Sequence, residues 1–285
     1  MLKWILIGSF ILNKAYEGYL KYLDNSYLEK EPPENVRDVY DKEEYKKWLS
    51  YEKEGGRVDL LNYMVDSALV LMILIFNVHS SVFSLFSGFN IYFQYLFTLA
   101  VFTFISKANA FCTGLTKKKT ISLDDNLVND YTTDQIIAVF AHEFAHARYN
   151  HQIKTLPFAF LRTVIIIAAL GILMNFSEPF TAFGFSDVNY YFAFLLISLI
   201  SWPVSTVFDL ISNHISRKHE YQADGFAASE GYGTALIEVL KKLSKDSLTD
   251  LNPHPLVVKL LYSHPTLSQR IDAIEKIETV AANGN

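Results

Sequence analysis

The chain has 285 residues, 51% of them apolar, and a positive mean hydropathy that is high for a soluble protein. Its formal net charge of −5 argues against a general nucleic-acid binder, which would need a basic surface. Cys112 is the single cysteine, so there is neither an intrachain disulfide nor a thiolate-built metal site, and His, Asp and Glu remain as possible ligands.

Residues 1–63 read as an anchor followed by a charged loop. Trp4 to Leu12 is apolar but short, and no small-residue cleavage site follows it. A marginal first span or an interfacial helix therefore fits better than a cleaved signal. Eleven acidic residues lie between Asp24 and Asp59, which predicts a helical, solvated loop with partner binding as a second use.

Residues 64–106 predict a transmembrane hairpin turning at Ser87-Gly88. Met64 to Phe86 and Phe89 to Ser106 are each long enough, or nearly so, to cross a hydrocarbon layer. Asp66 sits near a segment end, within reach of water, and His79 lies deeper, where a packed neutral imidazole is the ordinary reading.

Residues 107–156 predict a short β-hairpin, with Gly114 to Lys119 as its turn, and then a helix. Thr132-Thr133-Asp134-Gln135 has the form of a capping box, in which Thr132 caps the helix and Gln135 reaches back. Inside that helix lies His142-Glu143-Phe144-Ala145-His146. Helical positions four apart share a face, so both imidazoles can aim at one point with Glu143 beside it. Two neutral histidines and an adjacent carboxylate suit zinc peptide hydrolysis, with Glu143 as the general base; two buried core histidines are the plain alternative.

Residues 157–211 predict a second membrane hairpin, from Pro157 to Met174 and from Val188 to Ile211, with Arg162 able to snorkel. The connection between Met174 and Val188 carries only Glu178 and Asp187. Lys107, Lys117, Lys118, Lys119, Arg148 and Lys154 lie on the motif-bearing side. The positive-inside rule then puts that side in the cytosol.

Residues 212–285 predict a cytosolic helical end. A catalytic zinc usually has three protein ligands, and the third is sought in Glu220-Tyr221-Gln222-Ala223-Asp224. Glu220 and Asp224 share a helical face, so Glu220 can serve as ligand while Asp224 orients a ligand histidine through its second nitrogen. An isolated pattern of this kind is more often a solvated acidic face with an Arg217–Glu220 ion pair. A preceding H-E-x-x-H on another cytosolic helix favours the ligand reading.

These motifs resemble the gluzincin peptidases, and their surroundings resemble the M48 family, within it the Ste24-type CAAX prenyl proteases. Asn109-Ala110-Phe111-Cys112-Thr113-Gly114 resembles the strand motif before the zinc helix. Pro203 to Asn213 and Ser216-Arg217-Lys218-His219-Glu220-Tyr221-Gln222-Ala223-Asp224 resemble the block that carries the third ligand. Tyr262-Ser263-His264-Pro265 with Arg270 resembles the C-terminal motif, and Tyr16-Glu17-Gly18-Tyr19-Leu20 with Glu31-Pro32-Pro33-Glu34 through Tyr51 looks like the first span and cytosolic loop of the Ste24 branch.

The resemblance implies one Zn2+ per chain held by His142, His146 and Glu220, with Glu143 as base and Asp224 behind a ligand histidine. It implies that Asn109, Ala110 and Phe111 lie on an edge strand that takes substrate backbone by strand addition. His264 would stabilise the oxyanion with Arg270 in support, although a turn histidine before Pro265 is an equal reading of the spacing alone. His151 would be helix-end packing. Full-length members of the branch have seven membrane helices around a chamber, whereas four clear apolar segments and a marginal first one are present here. The Asn109 motif also reads closer to the HtpX-like branch.

The expectation is a mainly α polytopic membrane protein, with a gluzincin-type zinc site and a short β-hairpin or edge strand next to the zinc helix. Its expected activity is that of a zinc metalloendopeptidase of the endoplasmic reticulum membrane with a cytosolic catalytic face. Its expected partners are the bilayer and prenylated CAAX-type peptides or proteins, with no nucleic acid. The rival readings are an HtpX-like quality-control protease, a membrane metal carrier and a catalytically inactive membrane scaffold. A base beside the first ligand argues against the carrier.

Overall fold

The computed structural model describes residues 1–95, 98 and 131–283. In chain order the helices are α1 (Leu2–Tyr27), α2 (Lys42–Ile75), α3 (Val78–Leu85), α4 (Thr133–Arg148), α5 (His151–Leu173), α6 (Glu178–Thr181), α7 (Tyr190–Ile200), α8 (Trp202–Ala227), α9 (Gly233–Asp246), α10 (Pro255–Leu261) and α11 (Leu267–Asn283). Every regular element among the described residues is helical. The expected β-hairpin and the Asn109–Phe111 edge strand lie outside the described residues, as does most of the apolar run from Phe89 to Ser106.

The chain divides into two compact units. One comprises Met1–Tyr19, Asp59–Leu115 and Phe160–Thr206; the other comprises Leu20–Val58, Thr116–Ala159 and Val207–Asn285. The boundaries placed at 63/64 and 156/157 from sequence fall inside α2 and α5.

In the first unit, Leu6, Ile7 and Phe10 line one face of α1. They join Leu74, Phe180, Phe183, Phe185, Phe192 and Leu196 in an aromatic-rich core. Asn189 caps α7, its side chain accepting from Phe192 N at 2.9 Å. His79 is buried, with its ring centroid 5.4 Å from that of Phe192, in the packed setting expected for it.

Two of the expected spans are corrected. Met64 to Phe86 is not one helix: α2 stops at Ile75, and Asn77 takes a left-handed conformation (φ 55°) before α3. Lys3 Nζ donates to Ile75 O at 2.7 Å and to Asn77 Oδ1 at 2.6 Å, placing a cation at the carbonyl end of α2. The helix extends the other way, to Lys42. The run from Val188 to Ile211 bends by 55° where α7 gives way to α8. Pro203 lies in the first turn of α8, where its missing N–H costs nothing, so it starts a new helix instead of continuing the old one.

Among the described residues, α2 and α5 are long and apolar enough to cross a membrane. The bent pair beginning with α7 adds a third candidate if it counts as one span. The apolar stretches of α2 and α5 are almost wholly uncovered by protein, the opposite of a soluble core helix, and lipid is the environment that satisfies them. The chain is an integral membrane protein.

The second unit has two cores. Ala138 and Ala141 of α4 and Ala227 of α8, with Ala228, pack with Leu236 of α9 and Ile274 of α11; these small side chains let the helices approach closely. Leu28, Val36, Val39, Tyr40 and Trp48 pack against Leu251, Leu267 and Ile271. This amends the solvated-loop expectation: Glu29, Glu31, Glu34 and Asp38 are exposed, but the apolar residues between them are core. Trp48 Nε1 donates to Leu248 O at 2.9 Å, and Tyr40 Oη donates to Ser244 O and Thr249 O at 3.2 Å each. Gly231 takes φ +89° between α8 and α9, a conformation that glycine alone adopts without strain.

Candidate metal centre

The site is assembled within the second unit from α4, α8 and the segment joining α10 to α11. Helix α4 starts with the capping box read from sequence: Gln135 N donates to Thr132 Oγ1 at 3.4 Å, and Thr132 N donates to Gln135 Oε1 at 3.0 Å. Its helical period brings His142 and His146 to one face, their Nε2 atoms 3.1 Å apart. Helix α8 supplies Glu220, which is 5% exposed. Its Oε2 lies 3.6 Å from His142 Nε2, and its Oε1 lies 3.4 Å from His146 Nε2.

These separations test whether a metal fits. Ligand bonds of about 2.0–2.1 Å in a tetrahedron imply ligand–ligand edges of about 3.3–3.4 Å. The imidazole–imidazole edge is 3.1 Å, and each imidazole has a different Glu220 oxygen at 3.4 or 3.6 Å. One ligand-type atom from each of the three residues lies within 4.8 Å of the other two, so the donor set of two imidazoles and a carboxylate suits one divalent cation.

Behind these atoms lies a supporting layer. Asp224, 1% exposed, places Oδ1 2.9 Å from His142 Nδ1. Arg270 from α11 donates to the same carboxylate twice, Nη2 to Oδ1 at 2.6 Å and Nε to Oδ2 at 2.8 Å. Its Nη1 lies 3.7 Å from Glu220 Oε2. Burial opposes the charge of Arg270, but the Asp224 hydrogen bonds and the negative charges of Asp224, Glu220 and Glu143 hold its pKa above the ordinary value. Burial, followed by repulsion from His142, His151, His219 and Arg270, pulls the His146 pKa down to about 4. Its imidazole is thus neutral near pH 7, the form a metal takes.

His264 reaches the same cluster, with Nε2 3.5 Å from Glu220 Oε1 and Nδ1 2.9 Å from Ser263 Oγ. Its side chain is 61% exposed, open to an arriving ligand. Glu143 is exposed on the helix that carries both histidines. Arg217, weighed from sequence as an ion-pair partner of Glu220, instead donates to the carbonyls of Val258 (3.3 Å), Lys259 (3.2 Å) and Tyr262, closing the end of α10 just before Ser263-His264.

The structure therefore brings His142, His146, Glu220, Asp224, Arg270 and His264 together, with Glu143 alongside; Asn109, Ala110 and Phe111 lie outside the described residues. Sequence reasoning missed the reach of two residues. His151 Nδ1 lies 3.0 Å from His146 Nδ1, and its Nε2 lies 3.0 Å from Gln222 Oε1. The available signal was Asn150, a residue type that tolerates the left-handed region. At φ 55° it turns the chain directly from α4 into α5 and sets His151 back against His146.

The chain is 32% identical over 194 residues to CAAX prenyl protease 1 of Saccharomyces cerevisiae, covering 62% of this chain and 43% of that protein. It is 34% identical over 170 residues to the CAAX prenyl protease 1 homolog of Dictyostelium discoideum (59% and 39%), and 31% over 147 residues to the homolog of Homo sapiens (51% and 31%). It spans less than half the length of these curated relatives. The crystal structure of S. mikatae Ste24p superposes with a TM-score of 0.73 at 20% identity, covering 96% of this chain and 98% of that one, so the two share a fold. Residues 76–278, most of the chain, match the profile of Peptidase family M48, and the protein belongs to that family.

Proposed function

We propose that the protein is a zinc metalloendopeptidase that cleaves C-terminal peptides from prenylated CAAX-type proteins at a membrane. One observation carries this reading: three ligand-type atoms of His142, His146 and Glu220 meet within 4.8 Å of one another, beside an exposed Glu143. His142, His146 and Glu220 would hold a single zinc ion. When bound, zinc would supply Lewis acidity, polarising a carbonyl and making water a stronger acid.

Glu143 then takes a proton from water and passes it to the leaving amine. Asp224 keeps the His142 imidazole turned so that Nε2 faces inward, and Arg270 holds Asp224. His264, held over Glu220 and open to solvent, donates to the oxyanion that develops on the substrate. The role of Asn109, Ala110 and Phe111 in taking the substrate backbone rests on the resemblance of their motif alone.

The substrate class rests on the similarity to CAAX prenyl proteases, and the membrane setting on the apolar helices α2 and α5. The lysine and arginine bias supports a cytosolic catalytic face, and similarity to the eukaryotic CAAX prenyl proteases supports the endoplasmic reticulum membrane. The decisive assay compares a farnesylated C-terminal peptide with its unprenylated twin, with and without a chelator. Chelator-sensitive cleavage preferring the farnesylated peptide is expected. Equal cleavage of both peptides refutes the prenyl specificity, and absence of cleavage with zinc bound refutes the peptidase.

A further inference from the structure

We infer that His151 and Gln222 are positioning residues that fix the tautomer of His146 and thereby its readiness to bind metal; this rests on the reading of His142, His146 and Glu220 as the zinc set. The observation is a line of three side chains running away from the site. His146 Nδ1 lies 3.0 Å from His151 Nδ1, and His151 Nε2 lies 3.0 Å from Gln222 Oε1. His151 is 3% exposed, and its ring lies flat on that of His219, with centroids 3.9 Å apart and planes 4° from parallel, so it has little freedom to turn.

The amide oxygen of Gln222 can only accept. His151 must therefore carry its proton on Nε2, which leaves Nδ1 as an acceptor. The proton of His146 is then drawn to Nδ1, and its Nε2 lone pair points at His142 Nε2 (3.1 Å) and Glu220 (3.4 Å). Were Gln222 turned to present its NH2, every bond in the line would reverse and His146 Nε2–H would block the site. No proton leaves the line in either state; only its direction changes. A single stretch of α8 thus serves all three ligand residues. Glu220 is one of them, Asp224 sets His142, and Gln222 sets His146 through His151.

The test uses full-length protein in detergent and measures zinc affinity by competition with a chromogenic chelator. Gln222 is exposed, so its variants are compatible with folding. Gln222→Leu and His151→Phe are expected to lose roughly 10–100-fold in zinc affinity, whereas Gln222→Glu, which keeps the acceptor, stays within about threefold of native. Nitrogen-15 shifts of zinc-free protein should show His146 protonated on Nδ1, and a shift toward the Nε2–H form in Gln222→Leu. Unchanged affinity in Gln222→Leu, equal loss in both Gln222 variants, or an Nε2–H His146 in the native zinc-free protein overturns the inference. Native protein that takes up no zinc overturns the metal site itself, which separates the two failures.

Discussion

Asp224 Oδ1 lies 2.9 Å from His142 Nδ1 while the same carboxylate receives both arms of Arg270, so one buried acid joins His142 to a buried guanidinium. Removing it has two consequences. Asp224→Ala is expected to lower zinc affinity by roughly 10–100-fold because His142 loses its orienting partner. It also removes both hydrogen bonds that the buried Arg270 makes to Asp224 and leaves it the longer contact to Glu220, at a cost of about 1–3 kcal/mol. Chelator competition and thermal unfolding in detergent measure the two effects, and an unchanged melting temperature would contradict the second.

The proposal gives Glu143 a different role from His142, His146 and Glu220, and its substitution should look different. Glu143→Gln keeps the side-chain shape and is expected to retain zinc while losing roughly 10²–10⁴-fold in kcat. Glu220→Ala should lose zinc together with activity. Metal analysis beside a peptide assay separates the two patterns, and an active Gln variant would remove Glu143 from the chemistry.

His264 is expected to act on the reaction and not on the metal. His264→Ala should keep zinc and lose about 10²–10³-fold in kcat, the usual effect of deleting one oxyanion donor. Arg217→Ala, which frees the carbonyls at the end of α10, should lower activity through the same histidine while metal content stays at one per chain. Zinc loss in either variant would place the effect on folding instead.

Asp250 links stability to pH. Burial, with Asp24 and Glu52 adding repulsion against the opposing Asn252 N–H, raises its pKa from 3.8 to about 6. The folded state thus binds this proton more tightly than the unfolded chain, so the group imposes no penalty below about pH 4 and its full penalty above about pH 6. Asp250→Asn keeps an oxygen for Asn252 N, which donates to Asp250 Oδ1 at 2.8 Å, and removes the charge. It is expected to stabilise the protein by about 1–2 kcal/mol at pH 7.5, allowing for partial solvent access, and to have little effect at pH 4. Thermal unfolding at the two pH values checks this; an equal gain at both would show that the charge is irrelevant.

The centre of the site was legible because helical periodicity is local. His142 and His146 share a face wherever their helix lies, and Thr132 with Gln135 announces where it begins. The partner Glu220 was legible because its own helix places Asp224 on the same side. The breaks in the apolar runs were not legible. Composition is the same on both sides of Asn77, and what stabilises the helix end there is Lys3, more than seventy positions away in sequence. The second contact of His146 was hidden in the same way, since it depends on one left-handed residue, Asn150, folding His151 back. Acidic residues between Asp24 and Asp59 masked Val36 and Trp48, whose burial depends on Leu267 and Ile271 at the other end of the chain.

X-ray absorption at the zinc K-edge, on native protein and on Glu220→Ala, addresses the ligand set most directly. The expected native spectrum has a first shell of nitrogen and oxygen at about 2.0–2.1 Å with two imidazole scattering patterns, and the Glu220→Ala protein holds little or no zinc. A native protein without zinc, or a shell with fewer than two imidazoles that is unchanged in Glu220→Ala, would contradict the assignment of His142, His146 and Glu220 as the metal's holders.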